Sequence, residues 1–291
     1  MTTFVEGMHG LGDSIYLRAF VKTLAARGEV YLATPWPELF ADLGVKCVRK
    51  NTVMRTQVKN IAASAYPWHA APSMSKCARH LRAGYDLRQE TILEGFRRTL
   101  GVDPGPFDLP AGSSGGCSPR AIVRPATVRR EMPWTARNPH PGYIADAAVA
   151  LGRAGAYVLS VADLQDGEEW LDGSAPPCDL ERHDGVPLTH LLALVRDARA
   201  LVGGVGWLLP AAIASGVPML CIAGGHGGMN SPAKVGMAPN VTWALPDHYD
   251  LGTDPQADCD KTISRFGEIL ADWIDGLDLR RPAEEKPRLA A

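Results

Sequence analysis

Alternating blocks of apolar and polar residues along the chain predict strands and helices in turn. The first 45 residues predict a βαβ unit. It comprises a short strand around Thr3 to Glu6, a glycine-rich turn from Gly7 to Asp13, a helix from about Ser14 to Arg27, and a strand over Val30 to Ala33. A helix is also predicted over Tyr85 to Leu100, where apolar residues recur at helical spacing. Between these units, Asn51 to Arg82 has little periodicity, and we expect loops and short helices there.

The second half predicts strands and helices in alternation. The predicted strands are Ala121 to Pro125, which ends in a proline turn, Ala156 to Val161, Ala200 to Gly203 and Pro218 to Ala223. The predicted helices are Pro141 to Ala154, Leu188 to Ala198, Leu208 to Ser215 and Thr262 to Leu277. Continuously apolar strands between helices are typical of a parallel sheet that is covered on both faces. The sequence therefore predicts an α/β protein with two Rossmann-like lobes facing across a cleft.

A Gly/Ser run from Ala111 to Gly116 predicts the boundary between the lobes, because such runs lose much backbone entropy on ordering and pack little. We place an N-terminal domain at residues 1–112, a linker at 113–118, a C-terminal domain at 119–277 and a charged tail at 278–291. In open α/β sheets ligands bind at the carboxyl ends of the strands, so the site is expected between the lobes.

Composition narrows the class of protein. The 291 residues are 46% hydrophobic and 21% charged, which is typical of a globular protein. No apolar run of 18 residues or cationic leader is present, and the six cysteines form no CxxC pair. We therefore expect a cytoplasmic protein with reduced thiols and no integral membrane association. The histidines and cysteines show no metal-ligand spacing, so no metal site is predicted.

Charge is distributed unevenly, although the formal net charge is only −2. Residues 1–140 carry 19 Lys and Arg against 11 Asp and Glu, whereas residues 141–291 carry 11 against 21. The excess is greatest between Lys46 and Arg88, where aromatic residues are interspersed with the basic ones. Such a surface suits a phosphate-bearing acceptor, with a solvated cationic face as the alternative. The candidate acceptor-binding residues are Arg55, Lys59, Trp68, Arg79 and Arg82.

Three segments resemble the inverting glycosyltransferases of family nine, the GT-B group that includes the ADP-heptose:lipopolysaccharide heptosyltransferases. They are Gly10 to Ile15, Arg124 to Trp134, and Val202 to Pro218. Gly-Leu-Gly-Asp with Trp36-Pro37-Glu38 nearby is more similar to the phage-borne members. In the third segment Gly204 and Val205 replace the usual Asp and Ser or Thr, and Leu209 or Pro210 replaces His. This departure leaves glycine and backbone amides as the expected phosphate contacts.

The resemblance implies that Asp13 is the catalytic base, and His9 in the same turn is a candidate accessory acid or base. Both residues have structural alternatives, a first-turn helix carboxylate for Asp13 and a surface histidine for His9. Glycine-rich loops after two strands, arginines at a strand end and polar residues after a third strand are candidates for binding the donor diphosphate and nucleotide. The candidate donor-binding residues are Gly12, Arg124, Arg129, Arg130, Ser160, Asp163, Gly204, Gly206, Gly224, Gly225, Gly227 and Gly228.

These assignments predict an inverting, metal-independent glycosyltransferase, without a cofactor, that moves a sugar from a nucleotide-diphosphate donor to a hydroxyl of an anionic acceptor. The acceptor expected first is a hydroxymethylated pyrimidine in phage DNA. Lipopolysaccharide or another phosphorylated glycan is the alternative. Two further readings stay open, a non-catalytic nucleotide-sugar-binding protein and a nucleotide-sugar epimerase of the same form.

Overall fold

A computed structural model describes residues 2–114, 121–225, 230–249 and 260–279. The strands are β1 Thr3–Glu6, β2 Val30–Thr34, β3 Lys46–Arg49, β4 Arg79–Arg82, β5 Ala121–Val123, β6 Thr127–Arg129, β7 Val158–Val161, β8 Glu169–Leu171, β9 Leu180–Arg182, β10 Ala200–Gly203, β11 Met219–Ile222 and β12 Val241–Ala244. The α-helices are α1 Leu11–Ala25, α2 Arg55–Ala63, α3 Ile92–Leu100, α4 Pro141–Arg153, α5 Leu188–Asp197, α6 Leu208–Ser215, α7 Pro232–Val235 and α8 Phe266–Asp275. Two 3-10 helices, Pro37–Leu43 and Met74–Lys76, lie in the first half.

The first lobe is built on a parallel four-stranded sheet in the order β3-β2-β1-β4. Val5 on the central strand β1 is fully buried and pairs with Leu32 and Leu81. The predicted βαβ unit is confirmed, with α1 beginning three residues earlier than expected. Strand β4 was missed, because its sequence Arg-His-Leu-Arg carries only one apolar residue.

The predicted helix over Tyr85 to Leu100 was wrong in its first half. The helix α3 begins after Thr91, whose hydroxyl accepts from the Glu94 amide while the Glu94 carboxylate accepts from the Thr91 amide. This capping box fixes the helix start. The preceding residues form a turn in which the Gln89 and Glu90 amides donate to the Asp86 carbonyl.

The second lobe is built on a parallel six-stranded sheet in the order β12-β11-β10-β5-β7-β9, and β6 and β8 form a separate antiparallel pair. The sheet strands predicted after residue 120 are confirmed, and their fully buried residues explain the continuous apolar runs. In sequence, the two large sheets lie on either side of the Gly/Ser run, of which Gly115 and Gly116 fall outside the described part of the chain. In the described residues, no helix is long and apolar enough to cross a bilayer.

The lobes meet where α1 packs against α6. One hydrophobic core cluster contains buried residues of both lobes, among them Leu17 of α1 and Leu209 of α6. Gly12 makes the close approach possible, since a β-carbon placed there would lie 3.3 Å from both Cγ of Pro210 and Cα of Trp207. One turn later, the Tyr16 hydroxyl donates across the interface to the Val235 carbonyl at 2.5 Å. The start of α1 is therefore fixed against the second lobe.

The aromatic packing behind α1 should dominate the stability of the first lobe. Phe96 is fully buried, with its ring centroid 5.5 Å from that of Phe20 and 5.7 Å from that of Tyr85. We expect Phe96→Ala to lower the free energy of unfolding by about 3–5 kcal/mol, because it deletes a ring from a packed core. Urea unfolding measures this loss, with Phe96→Leu as the milder control. A loss below about 1 kcal/mol would contradict this packing.

Candidate active site

Asp13 lies in the first turn of α1, where the chain leaves β1 at the carboxyl edge of the first sheet. Its carboxylate folds back over the preceding turn, so a β-carbon added to Gly10 would overlap its Oδ2 atom. Gly10 therefore provides the space for this carboxylate. The Gly10-Leu11-Gly12-Asp13 turn was recognised from the sequence. The sequence did not show that Gly10 makes room for the Asp13 carboxylate and Gly12 for the other lobe.

Tyr85 holds the other oxygen of this carboxylate. Its hydroxyl donates to Asp13 Oδ1 at 2.6 Å. Burial raises the pKa of Asp13 above its usual range, whereas the Tyr85 hydrogen bond and the positive charge of Arg137 act to lower that pKa. Burial and the Asp13 charge together raise the pKa of Tyr85, which keeps its hydroxyl protonated as a donor. This contact was not predicted, because Tyr85 was counted only among the aromatics of the basic segment.

The segment Ala136 to Pro139 crosses the carboxyl ends of β10 and β11. A β-carbon on Gly224 would lie 2.5 Å from the carbonyl carbon of Arg137, and one on Gly204 would lie 2.8 Å from Cδ of Pro139. The glycines that the sequence assigned to a diphosphate therefore admit the protein's own backbone. The segment in turn brings the Arg137 charge within electrostatic range of Asp13.

Arg124 follows β5 and extends toward the loop after β10, where a β-carbon on Gly206 would lie 3.5 Å from Nη1 of the guanidinium. Burial and the charges of Arg129 and Arg137 lower the pKa of Arg124 to about 10, although Glu169 acts in the opposite direction. Among the described residues, neither the Arg124 nor the Arg137 side chain has a hydrogen bond or ion pair. We call these two residues the arginine pair. Of the two, Arg137 lies within electrostatic range of the Asp13 carboxylate, and in the described part of the chain neither guanidinium has an anionic partner.

Three other candidate donor-binding residues are engaged elsewhere. Arg129 pairs with Glu169 at 3.0 Å, and Arg130 pairs with Glu168 at 2.9 Å. Ser160 is fully buried and its Oγ lies 2.8 Å from Nε2 of His183. Gly225 is buried after β11, and the predicted Gly227 and Gly228 lie outside the described residues.

Two candidate acceptor-binding residues instead join the lobes. Arg55 Nη2 lies 2.7 Å from Glu169 Oε2, and Lys59 Nζ lies 2.7 Å from Asp163 Oδ1. The Arg55 guanidinium also donates to the Asp163 carbonyl at 2.5 Å. We call these four residues the inter-lobe clasp. Their charges compensate one another, so Arg55 and Lys59 present no free charge for an acceptor and Asp163 none for a nucleotide.

The other candidate acceptor-binding residues fall at different edges of the first sheet. In the parallel pairing of β1 with β4, Arg79 lies opposite Thr3 and Arg82 lies opposite Glu6. Arg79 is therefore at the amino edge of the sheet, where its guanidinium donates to the Leu100 carbonyl at 3.0 Å. Arg82 lies at the same carboxyl edge as Asp13. Trp68 is partly buried, with the Arg49 guanidinium 5.5 Å above its ring.

Lys50 completes a basic cluster at that carboxyl edge. Burial lowers the pKa of Lys50, the Glu6 charge raises it, and the Arg82 charge lowers it. Partial burial of the His9 ring and the Lys50 charge lower the pKa of His9. His9 contacts the Gln57 side chain, and its carbonyl accepts from Trp36 Nε1 at 2.8 Å. His9 therefore lies beside the basic cluster, and the hydrogen-bond partner of the Asp13 carboxylate is Tyr85.

Within the described part of the chain, no group of three or more His, Cys, Asp or Glu side chains is arranged to hold a metal ion. Positive charge at the site is supplied there by the arginine pair and by the N-terminal end of the α6 dipole. At that end the Leu209 amide already donates to the Gly206 carbonyl at 3.2 Å and Pro210 has no amide hydrogen, so Leu208 is the first residue of α6 with an amide for a ligand.

The raised pKa of Asp13 makes a prediction about stability. A carboxyl whose pKa is higher in the folded state binds protons more tightly there, so its contribution to stability falls as pH rises from the unfolded value of about 4 through the folded value. Asp13→Asn should therefore melt at a higher temperature than the wild type near pH 7 and at a similar temperature near pH 4. Calorimetric melting between these pH values measures the difference. A variant that melts lower than the wild type at pH 7 would contradict the raised pKa.

Solved structures reveal what this architecture is similar to. No protein-family model and no curated protein sequence matches the chain. The iron-containing dodecameric glycosyltransferase TibC from enterotoxigenic E. coli matches over 94% of this chain and 74% of its own, at 16% identity and a TM-score of 0.60. The E. coli ADP-heptose lps heptosyltransferase II matches over 94% of this chain and 98% of its own, at 14% identity and a TM-score of 0.57. A family 9 glycosyl transferase from Veillonella parvula matches over 93% of this chain and 97% of its own, at 12% identity and a TM-score of 0.56. The chain therefore has the GT-B fold of the family-nine, heptosyltransferase-like glycosyltransferases, as the sequence motifs predicted.

Proposed function

We propose that this protein is an inverting, metal-independent glycosyltransferase that moves a sugar from a nucleotide-diphosphate donor to a hydroxyl group of an anionic acceptor. The observation that carries the proposal is the position of Asp13 at the junction of the lobes, within electrostatic range of Arg137, whose charge also acts on Arg124. A base and an uncompensated positive charge are the two groups that this reaction requires, one for the acceptor proton and one for the leaving diphosphate.

The arginine pair is suited to the donor diphosphate. The largely buried Arg124 guanidinium has no anionic partner and is costly to ionise, and repulsion from the exposed Arg137 adds to this cost. A diphosphate placed between Arg124 and Arg137 would relieve both costs and would also accept hydrogen bonds from the start of α6. Solved relatives of this fold include TibC in complex with ADP-D-beta-D-heptose and the heptosyltransferase WaaC with ADP. ADP-sugars are therefore the first donors to test.

The chemistry follows from this arrangement. Asp13 Oδ2 takes the proton from the acceptor hydroxyl, whose oxygen forms a bond to the anomeric carbon of the sugar. The bond between that carbon and the diphosphate oxygen breaks, and its electron pair leaves with the nucleoside diphosphate. A single displacement of this kind inverts the anomeric configuration. The arginine pair stabilises the developing negative charge, which is the role that a metal ion has in other transferases.

The acceptor is bound by the basic cluster around Lys50 and Arg82 at the carboxyl edge of the first sheet. Arg55 and Lys59 are paired in the inter-lobe clasp, and Arg79 lies at the opposite, amino edge of the first sheet. The positive charge that remains for an acceptor is therefore confined to the small basic cluster. A compact cluster suits a glycan with one or two phosphate or carboxylate groups. Nucleic acid is bound through many phosphates, so hydroxymethylated DNA becomes the second acceptor to test.

Transfer can be measured directly. Purified protein is mixed with ADP-, UDP-, GDP- or CMP-sugars and with either a phosphorylated glycan or short hydroxymethylated DNA, and release of free nucleotide is followed with and without EDTA. We expect acceptor-dependent release from one donor, unchanged by EDTA, and a product of inverted configuration by proton NMR. Asp13→Asn should lose at least about 100-fold in kcat and bind donor within a few-fold of the wild type, because a general base is removed.

Each competing function has its own outcome in this assay. A nucleotide-sugar-binding protein would be stabilised by a donor and release no nucleotide. An epimerase would interconvert donor sugars without acceptor. Full activity of Asp13→Asn would contradict the role of Asp13, and loss of activity in EDTA that added metal restores would contradict metal independence.

Arg124→Leu should change stability and binding in opposite directions. Removing a largely buried, unpaired guanidinium should raise the melting temperature of the ligand-free protein, because the cost of burying that charge disappears. The same change should weaken donor binding about 10- to 100-fold, since it deletes a charge-assisted hydrogen bond to phosphate. Thermal-shift titration measures both effects. The control Arg153→Met removes an exposed arginine at the end of α4 and should alter neither. Unchanged donor affinity in Arg124→Leu would contradict the assigned diphosphate site.

A further inference from the structure

The segment between β4 and α3 places one side chain on the candidate base. The chain passes from the end of β4, where the Ala83 amide donates to the Glu6 carbonyl, directly to Tyr85. The Tyr85 hydroxyl then reaches Asp13 Oδ1 at 2.6 Å, from the sheet edge neighbouring the start of α1. This contact joins two elements that are 72 residues apart in sequence.

The backbone of Tyr85 is held by a glycine inside a helix. A β-carbon on Gly95 would overlap Cβ of Tyr85, so only glycine lets the segment lie this close to α3. Glycine in a helix interior costs roughly 0.5–1 kcal/mol relative to alanine. The Thr99 hydroxyl donates to the Gly95 carbonyl at 2.8 Å, and its oxygen lies 3.3 Å from the Gly84 carbonyl, in contact with the segment. The Tyr85 ring packs edge-on against Phe96.

The two oxygens of the Asp13 carboxylate therefore have different surroundings. Oδ1 accepts the Tyr85 hydrogen bond, and Oδ2 lies over the backbone of Gly10. Among the described residues, the Tyr85 hydrogen bond and the Arg137 charge lower the pKa of Asp13, and Tyr16 also lies within electrostatic range of this carboxylate. The carboxylate thus has one oxygen fixed by a neutral donor and one oxygen available for a proton.

We propose that Tyr85 is a positioning residue that holds Asp13 Oδ1 and thereby presents Oδ2, in its ionised form, to the acceptor hydroxyl. This inference rests on the proposed function, since it assigns a role within the same reaction. Tyr85 does not touch the reacting atoms. Its hydroxyl keeps its own proton throughout, while the acceptor proton passes to Oδ2.

The test is Tyr85→Phe, which removes the hydroxyl and keeps the ring against Phe96. Loss of a hydrogen bond to the charged form should raise the pKa of Asp13 further. The acid limb of the kcat profile should move to higher pH by the same amount, and KM for the donor should stay within two-fold, as expected for a change in a base. Tyr66→Phe is the matched control, because the Tyr66 hydroxyl donates to the Val45 carbonyl at 2.9 Å in the same lobe.

A second measurement does not depend on activity. Carbon-13 NMR of protein labelled at aspartate carboxyls, with the Asp13 signal assigned by its absence in Asp13→Asn, gives the titration midpoint directly. Tyr85→Phe should raise that midpoint and Tyr66→Phe should leave it unchanged. Gly95→Ala should also raise it, because the added methyl group displaces Tyr85 while the hydroxyl remains.

The outcomes separate the two proposals. If the wild type transfers sugar but neither the acid limb nor the Asp13 midpoint moves in Tyr85→Phe, the role of Tyr85 is overturned and the proposed function stands. If the wild type transfers no sugar to any acceptor, the proposed function fails, and the NMR midpoint still decides whether Tyr85 controls the ionisation of Asp13. A midpoint that falls in Tyr85→Phe would also overturn the role.

Discussion

The close packing of the first turn of α1 against the start of α6 is the contact on which the rest of the site depends. Gly12 has no side chain, so the helix turn can lie against Trp207 and Pro210 of the other lobe. That approach places Asp13, the next residue, beside positive charge that the second lobe supplies. The Tyr16 hydrogen bond to Val235 and the inter-lobe clasp add polar contacts across the same junction. The base and the phosphate-binding charge thus come from different lobes and meet only because the lobes dock in this register.

The groups at this junction are each unfavourable for the ligand-free fold. Burial raises the pKa of Asp13 and lowers that of Arg124, so both are harder to ionise than they would be in water. A buried charge elsewhere in the described residues shows the contrast. Fully buried Arg18, for example, pairs with Asp42 at 2.6 Å and Asp108 at 2.9 Å. Uncompensated charge is concentrated at functional sites, where a ligand supplies the missing partner.

The sequence predicted the parts of this architecture that depend on local pattern. The parallel strands of the second lobe were visible as apolar runs, and the Gly10-Leu11-Gly12-Asp13 turn indicated the position of the base. Contacts between distant segments were not visible. Gly204 and Gly224 suggested a diphosphate, but they admit the backbone around Arg137 and Pro139, which only the folded chain brings there. Arg55 and Lys59 read as free basic residues, because their carboxylate partners lie more than 100 positions away.

A crystal structure of the protein with a bound nucleoside diphosphate tests the central claim most directly. The account predicts the two phosphates between the guanidinium groups of Arg124 and Arg137, at the N-terminus of α6, with the terminal phosphate facing Oδ2 of Asp13. A diphosphate bound elsewhere in the protein, with both arginines still unpaired, would contradict it.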